Sequence, residues 1–239
     1  MKNTILIAHN VEKKYGNNTL WSGVNFSIKE GEIVGFVGNN GTGKTTLMKG
    51  ILGLSPLTSG YFTYLGEKKY LNNQKTIKSI GYLLETPLYP YLNASETLKL
   101  MAQYEGAKID NQHIDNLLEQ VRLKNDKKKV KDYSFGMAQK LRLAISLMFE
   151  RKLLILDEPT VGLDPSSVEE FLDIIRIMTH DKGTSVLLSS HQLDTIAPLC
   201  ERYLYISNNE IHESKKIYFY NGAFHTDNKA QDQVNKEGK

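Results

Sequence analysis

Cysteine is almost absent. Cys200 stands alone in 239 residues, so no disulfide can form within the chain and the fold must hold by packing. For Cys200 itself the favoured reading is a small apolar residue on a helix rather than a reactive thiol. No apolar run reaches the ~20 residues needed to cross a bilayer. The opening "MKNTILIAHN" lacks the apolar core of a signal peptide. Strong charge of one sign is missing too: the formal charge is +3 and the pI about 8.7, too mild to argue for nucleic acid. No internal repeat is visible. These absences point to a soluble cytoplasmic protein without a nucleic-acid partner. What is present is ordinary for a globular chain with a sizeable core: 40% apolar and 24% charged residues.

Residues 4 to 37 read as strands. "TILIAHNVEKKY" is β-rich, "GNN" at 16 to 18 signals a turn, and "TLWSGVNFSI" follows as a second strand. "GEIVGFVG" is a short apolar run suited to a buried central strand. "SGYFTYLGE" at 59 to 67 reads as a strand ending in a turn. From about 93 to 150 the pattern turns helical. "NASETLKLMAQYEG" has Asn93 or Ser95 as its cap and stops on Gly106, "NQHIDNLLEQVRL" has helical periodicity, and "KNDKKKVKD" is a solvated basic connector. After 150 strand and helix alternate again: "LLILDE", "SSVEEFLDIIRIMTHDKG", "TSVLLSS", "QLDTIAPLCER". That order implies a largely parallel sheet. "YLYISNNEIHES" reads as a hairpin turning at Asn208-Asn209. Past it only a polar tail from 226 to 239 is expected, disordered by composition.

"GNNGTGKTT", Gly38 to Thr46, fits G-x-x-x-x-G-K-[ST] in full, between a buried strand and a helix. Glycines let the backbone N–H groups of Gly38, Asn39, Asn40, Gly41, Thr42 and Gly43 curl around phosphate oxygens. Lys44 supplies a cation to the β- and γ-phosphates, Thr45 a hydroxyl to Mg²⁺, and Thr46 a donor to the α-phosphate. "LLILDEP" ends an apolar strand in two carboxylates, a costly arrangement for packing alone. Asp157 suits Mg²⁺, and Glu158 is placed to orient and deprotonate a water. His191, just after "TSVLLSS", is a candidate to contact the γ-phosphate or support that water.

These elements in this order resemble the nucleotide-binding subunit of an ATP-binding cassette (ABC) transporter, over residues 3 to about 205. "EPTVGLDP" resembles the family's D-loop, with Asp164, and "LLSSHQLD" its histidine switch. Tyr15 matches the aromatic residue that stacks on adenine. "YSFGM" (133 to 137) lies where the family carries its signature. The resemblance implies that Ser134 and Gly136 of one chain contact the γ-phosphate held by another. A hydroxyl, a backbone N–H and a helix N-terminus suit that role. A lone serine cap would not explain Gly136, which weakens a helix start relative to Ala.

The implied fold is α/β: a P-loop NTPase (RecA-like) core with an N-terminal antiparallel β subdomain and an inserted α-helical subdomain. Residues 1–225 form a single ABC ATPase domain. Its α/β core and β subdomain are 1–86 and 151–225, and 87–150 is the helical insertion with the signature. The implied activity is ATP hydrolysis with Mg²⁺. The implied partners are integral membrane permease subunits and a second ATPase subunit, head to tail, a homodimer by first preference. The chain would then sit peripherally on the cytoplasmic face of the membrane. "YLLETPLYPYLNASETL" and "YSFGMAQKLRLAISL" most resemble subunits for peptide-antibiotic and lantibiotic export or self-protection. Tyr89, Tyr91 and Tyr104 line the permease groove or pack in the core. The rivals are a soluble regulatory ATPase of the superfamily and a P-loop small-molecule kinase; the kinase leaves "SFG", "GLDP" and His191 unexplained.

The chain departs from the family pattern at Tyr133, Phe135 and Met137, which replace Leu, Gly and Gln. Phe135 needs a backbone that tolerates a side chain. At 85 the family's glutamine is Glu85. A carboxylate is also a hard oxygen ligand, so the metal role persists there, and its charge beside the attacking water is expected to alter hydrolysis rate or pH dependence.

Overall fold

A computed structural model describes residues 2–84, 86–220 and 223–226. Glu85 and the expected tail beyond Thr226 lie outside the described residues. The elements in chain order are β1 Thr4–Tyr15, β2 Asn18–Lys29, β3 Ile33–Val37, α1 Lys44–Ile51, β4 Ser59–Tyr64, α2 Gln74–Ile77 and β5 Ile80–Leu83. Then come α3 Ala94–Tyr104, α4 Asn111–Gln120, α5 Phe135–Leu147, β6 Leu153–Leu156, α6 Pro165–Lys182, β7 Ser185–Ser190 and α7 Leu193–Ile196. The chain closes with β8 Arg202–Ser207, β9 Glu210–Ser214, β10 Ile217–Tyr220 and β11 Ala223–Thr226.

The central sheet runs β5-β6-β7-β3-β8-β9. Its first five strands are parallel and β9 pairs antiparallel to β8. Strands β3, β6 and β7 are buried at every position, as central parallel strands covered on both faces must be. Their side chains alternate between two cores. Leu154 and Leu156 join the apolar residues of α3 to α6, while Leu153 and Ile155 face α1 and the β2-β1-β4 sheet. That second, antiparallel sheet is the β subdomain expected at the N-terminus.

Local signals set the helix limits. Asn93 caps α3: its side chain accepts from the Glu96 amide while Glu96 accepts from the Asn93 amide, a reciprocal capping box. This settles the choice between Asn93 and Ser95. Gly106 leaves the helix at φ +71°. Helix α6 ends on Gly183 in the left-handed region. Asn208 and Asn209 both take positive φ in the β8–β9 hairpin, as a two-residue I′ connection requires.

Two expectations need correction. "QLDTIAPLCER" makes only one turn of helix, Leu193–Ile196, because Pro198 has no N–H to extend the ladder. A second hairpin, β10–β11, follows the first. Its signal was present: Asn221-Gly222 sits between two aromatic-rich runs. Tyr89, Tyr91 and Tyr104 are 38, 76 and 67% exposed, so they are surface residues rather than core, and the Tyr89 and Tyr104 hydroxyls lie 3.5 Å apart.

Candidate functional site: a phosphate loop and a carboxylate–histidine pair

Neighbouring parallel strands deliver their C-terminal ends to one edge of the sheet, where ligands of open α/β folds bind. Here β3 delivers the loop Gly38 to Gly43, β6 delivers Asp157 and Glu158, and β7 delivers Ser189 and His191.

The loop's shape depends on its glycines. Gly41 and Gly43 take φ of +80° and +99°, and a Cβ on Gly43 would lie 2.7 Å from the buried Trp21 indole nitrogen. The Thr42 hydroxyl donates to Asn39 O at 2.8 Å. Lys44 is buried, and its ammonium donates to Gly38 O (2.6 Å) and Asn39 O (3.1 Å). Helix α1 starts at Lys44 with Gly43 as cap and no side-chain acceptor on its first amides, a favourable seat for phosphate.

The carboxylates are tied to this loop. The Thr45 hydroxyl donates to Asp157 Oδ2 at 2.5 Å, and the Ser189 hydroxyl donates to Asp157 Oδ1 at 2.5 Å. The Glu158 amide donates to Ser189 Oγ at 2.8 Å. Glu158 is itself held at φ +46°, uncommon for a residue with a side chain. Its Oε1 is 3.5 Å from the Lys44 ammonium, and its Oε2 is 2.9 Å from His191 Nδ1. Lys44, Glu158 and His191 therefore form one cluster, with Asp157 and Thr45 beside it. Tyr15, Asn40, Gly41 and Thr45 to Thr46 line an adjoining cleft of about 360 Å³ that also reaches Glu158. Tyr15 is 56% exposed, and the Lys13 ammonium lies over one face of its ring, 4.5 Å from the centroid.

The remaining candidates stand apart from that cleft. Ser134 caps α5, its hydroxyl accepting from the Met137 amide at 3.2 Å. Gly136 lies against α6: a Cβ there would be 3.3 Å from Ser167 Oγ. Close packing against α6 is a reason for glycine here that a serine cap alone does not supply. Asp164 caps α6, accepting from the Ser167 amide, the Ser167 hydroxyl and the Ser166 hydroxyl. Those bonds, led by Ser167, hold its carboxyl down at about 2. The signature and the D-loop are therefore side by side at two helix N-termini. Phe135 is the first residue of α5, so the replacement for glycine sits in helical backbone. Its ring lies over Gly162 (a Cβ there would be 3.1 Å away), and Gly162 carries the positive φ of +78° instead. Ser189, which bonds both Asp157 and Glu158, is not among the candidate residues read from the sequence. Serines closing an otherwise aliphatic strand would have revealed Ser189.

The donors Thr45, Asp157 and Ser189 are all hard oxygens, and among the described residues no cluster of three or more His, Cys, Asp or Glu forms a protein cage. That set fits Mg²⁺, which takes one or two protein oxygens and completes its shell with phosphate and water.

A sheet edge carrying a phosphate loop, a terminal Asp-Glu pair and a histidine defines a nucleotide-hydrolysing P-loop protein. The ABC transporter family matches residues 21–161. The bacitracin transport ATP-binding protein BcrA of Bacillus licheniformis is 37% identical over 216 residues, 90% of this chain and 69% of that one. The lantibiotic transport ATP-binding protein SrtF of Streptococcus pyogenes is 37% identical over 209 residues, 87% of this chain and 89% of that one. The solved structure of cbiO1 from Clostridium perfringens, part of the ABC transporter complex cbiONQ, superposes with a TM-score of 0.78 at 25% identity, covering 90% of this chain and 89% of that one. The chain belongs to the ABC transporter family, as an ATP-binding and ATP-hydrolysing subunit. Among the described residues no helix is long and apolar enough to cross a membrane.

Proposed function

We propose that this subunit powers export of a peptide antibiotic, a lantibiotic or a drug through separate integral membrane permease subunits, from the cytoplasmic face of the membrane. The observation that carries the catalytic reading is the Lys44–Glu158–His191 cluster beside the phosphate loop. Lys44 and the loop amides hold the β- and γ-phosphates, and Tyr15 stacks on the adenine. Thr45 and Asp157, with Glu85, hold Mg²⁺, which supplies charge neutralisation of the phosphates. Glu158 takes the proton of the attacking water, and His191 fixes the orientation of that carboxylate.

Ser134, Gly136 and Asp164 serve the partner's nucleotide in a head-to-tail homodimer. Their placement supports this, since none of the three lines the chain's own phosphate cleft. ATP closes two subunits and hydrolysis reopens them, and the permease converts that cycle into alternating access. The similarity to bacitracin and lantibiotic transport subunits supports the cargo class.

The test is affinity purification of the tagged chain from its native membranes in mild detergent, followed by ATPase assay of the complex. A stoichiometric polytopic protein, with phosphate release stimulated by an antimicrobial peptide, is the expected result. Recovery with ribosomes or nucleic acid and no membrane protein would overturn it.

A further inference from the structure

Helix α5 carries two residues that none of the site's roles absorb. Gln139 and Arg142 are three positions apart and so share a helix face. The Arg142 Nε–H donates to Thr86 O at 3.0 Å, and its Nη1–H donates to Gln139 Oε1 at 3.0 Å. The Gln139 amide in turn donates to Pro159 O at 2.9 Å in a buried bond. Three hydrogen bonds therefore run from the chain just past β5, across α5, to the residue immediately after Glu158. Arg142, Gln139 and Phe135 share a cleft of about 530 Å³ with Asp157 and Glu158. The same helix begins at the signature serine.

We propose that Arg142 is a positioning residue for hydrolysis, tying the segment after β5 and the Glu158–Pro159 turn to the signature helix so that the three move as one body. The guanidinium suits this because it offers two donors in a fixed plane, one to each neighbour, where an ammonium would offer a point. A displacement of α5 is passed to Glu158 through the Pro159 carbonyl, with no contact between Arg142 and the nucleotide. The inference rests on the reading of Glu158 as the water-activating base.

The test uses the purified full chain. Arg142→Met is expected to lower kcat about 10- to 100-fold, the range for a small misplacement of a catalytic group, with ATP affinity within about twofold of the unaltered protein, as expected when only the chemical step is touched. Amide hydrogen exchange is expected to speed up together in the peptide containing Thr86 and in the one following Pro159. Arg142→Lys, which keeps one donor for Thr86, is expected to restore protection at the first peptide and not the second. Gln139→Leu combined with Arg142→Met is expected to be no worse than either alone, since both break one bridge. Equal losses of ATP affinity, kcat and thermal midpoint, or faster exchange in one peptide only, would overturn the proposal. Glu158→Gln tests the base reading separately: retained hydrolysis there removes the base, while the exchange result alone decides the bridge.

Discussion

His191 Nδ1 lies 2.9 Å from Glu158 Oε2. A carboxylate accepts hydrogen bonds, so Nδ1 is the donor of this pair. The His191 amide also donates to Glu158 Oε2, at 3.3 Å. One carboxylate oxygen is thereby occupied, and the other, Oε1, is left toward Lys44.

Glu158→Gln is expected to cut phosphate release by about 10²- to 10⁴-fold, the contribution of a general base, while ATP still binds. His191→Ala is expected to lower the rate less. The double variant is expected to match Glu158→Gln alone, because the two act as a unit. Single-turnover hydrolysis with radiolabelled ATP measures all three.

The cap formed by Ser134 can be separated from its proposed contact with the partner's nucleotide. As the cap of α5, its loss to Ala is expected to cost about 1 kcal/mol of stability. Ser134→Asn keeps the cap and changes what the helix end presents. It is expected to preserve the thermal midpoint and, on the proposed head-to-tail arrangement, to weaken ATP-dependent dimer formation in the Glu158→Gln background. Sedimentation velocity with and without ATP distinguishes this from a purely structural serine, for which the dimer would be unchanged.

Burial pushes the Cys200 thiol up to about 12. The native thiol is therefore expected to stay unmodified by a disulfide reagent at pH 8 and to react stoichiometrically after denaturation. The linkage has a definite sign. A raised thiol pKa leaves stability intact below the unfolded value, near 8.5, and removes it as pH climbs from there toward the folded value. Cys200→Ala is expected to flatten the loss of thermal midpoint above pH 9.

Gly81 is a packing glycine in β5. A Cβ there would lie 2.3 Å from Ser146 O and 2.6 Å from the Leu154 side chain. The first neighbour is helix backbone, which cannot rotate away. Gly81→Ala is expected to cost about 1–3 kcal/mol, read as a lower midpoint in urea, with ATP affinity unchanged in the folded fraction.

Much of this architecture was legible because local and global signals agree. The apolar run 33–37 is a buried strand, Asn93 opens a helix, and Gly183 closes one. The phosphate loop and the Asp157-Glu158 pair were legible because few other needs place those residues at a strand end. Contacts between distant segments were not. Nothing in "SFGMAQ" announces that Gly136 lies against Ser167, and nothing in "LLSSH" states that Ser189 bonds Asp157. Such pairings depend on strand order and helix docking, which a single sequence encodes only through the whole fold. Helix α7 is shorter than its apolar pattern implies because Pro198 follows it.

The turn at Asn208–Asn209 reaches back to the start of the chain. Asn209 O accepts from the Ser22 amide at 3.1 Å, and the Asn209 side chain donates to Thr19 O. Thr19 and Ser22 flank Leu20, which lines the nucleotide cleft, and Trp21, which underlies Gly43. During synthesis the phosphate loop leaves the ribosome long before residue 209 is made. Until residue 209 is made and docks, the nascent chain carries its nucleotide-binding motif with one wall unbraced. Nucleotide affinity is expected to rise when that hairpin docks.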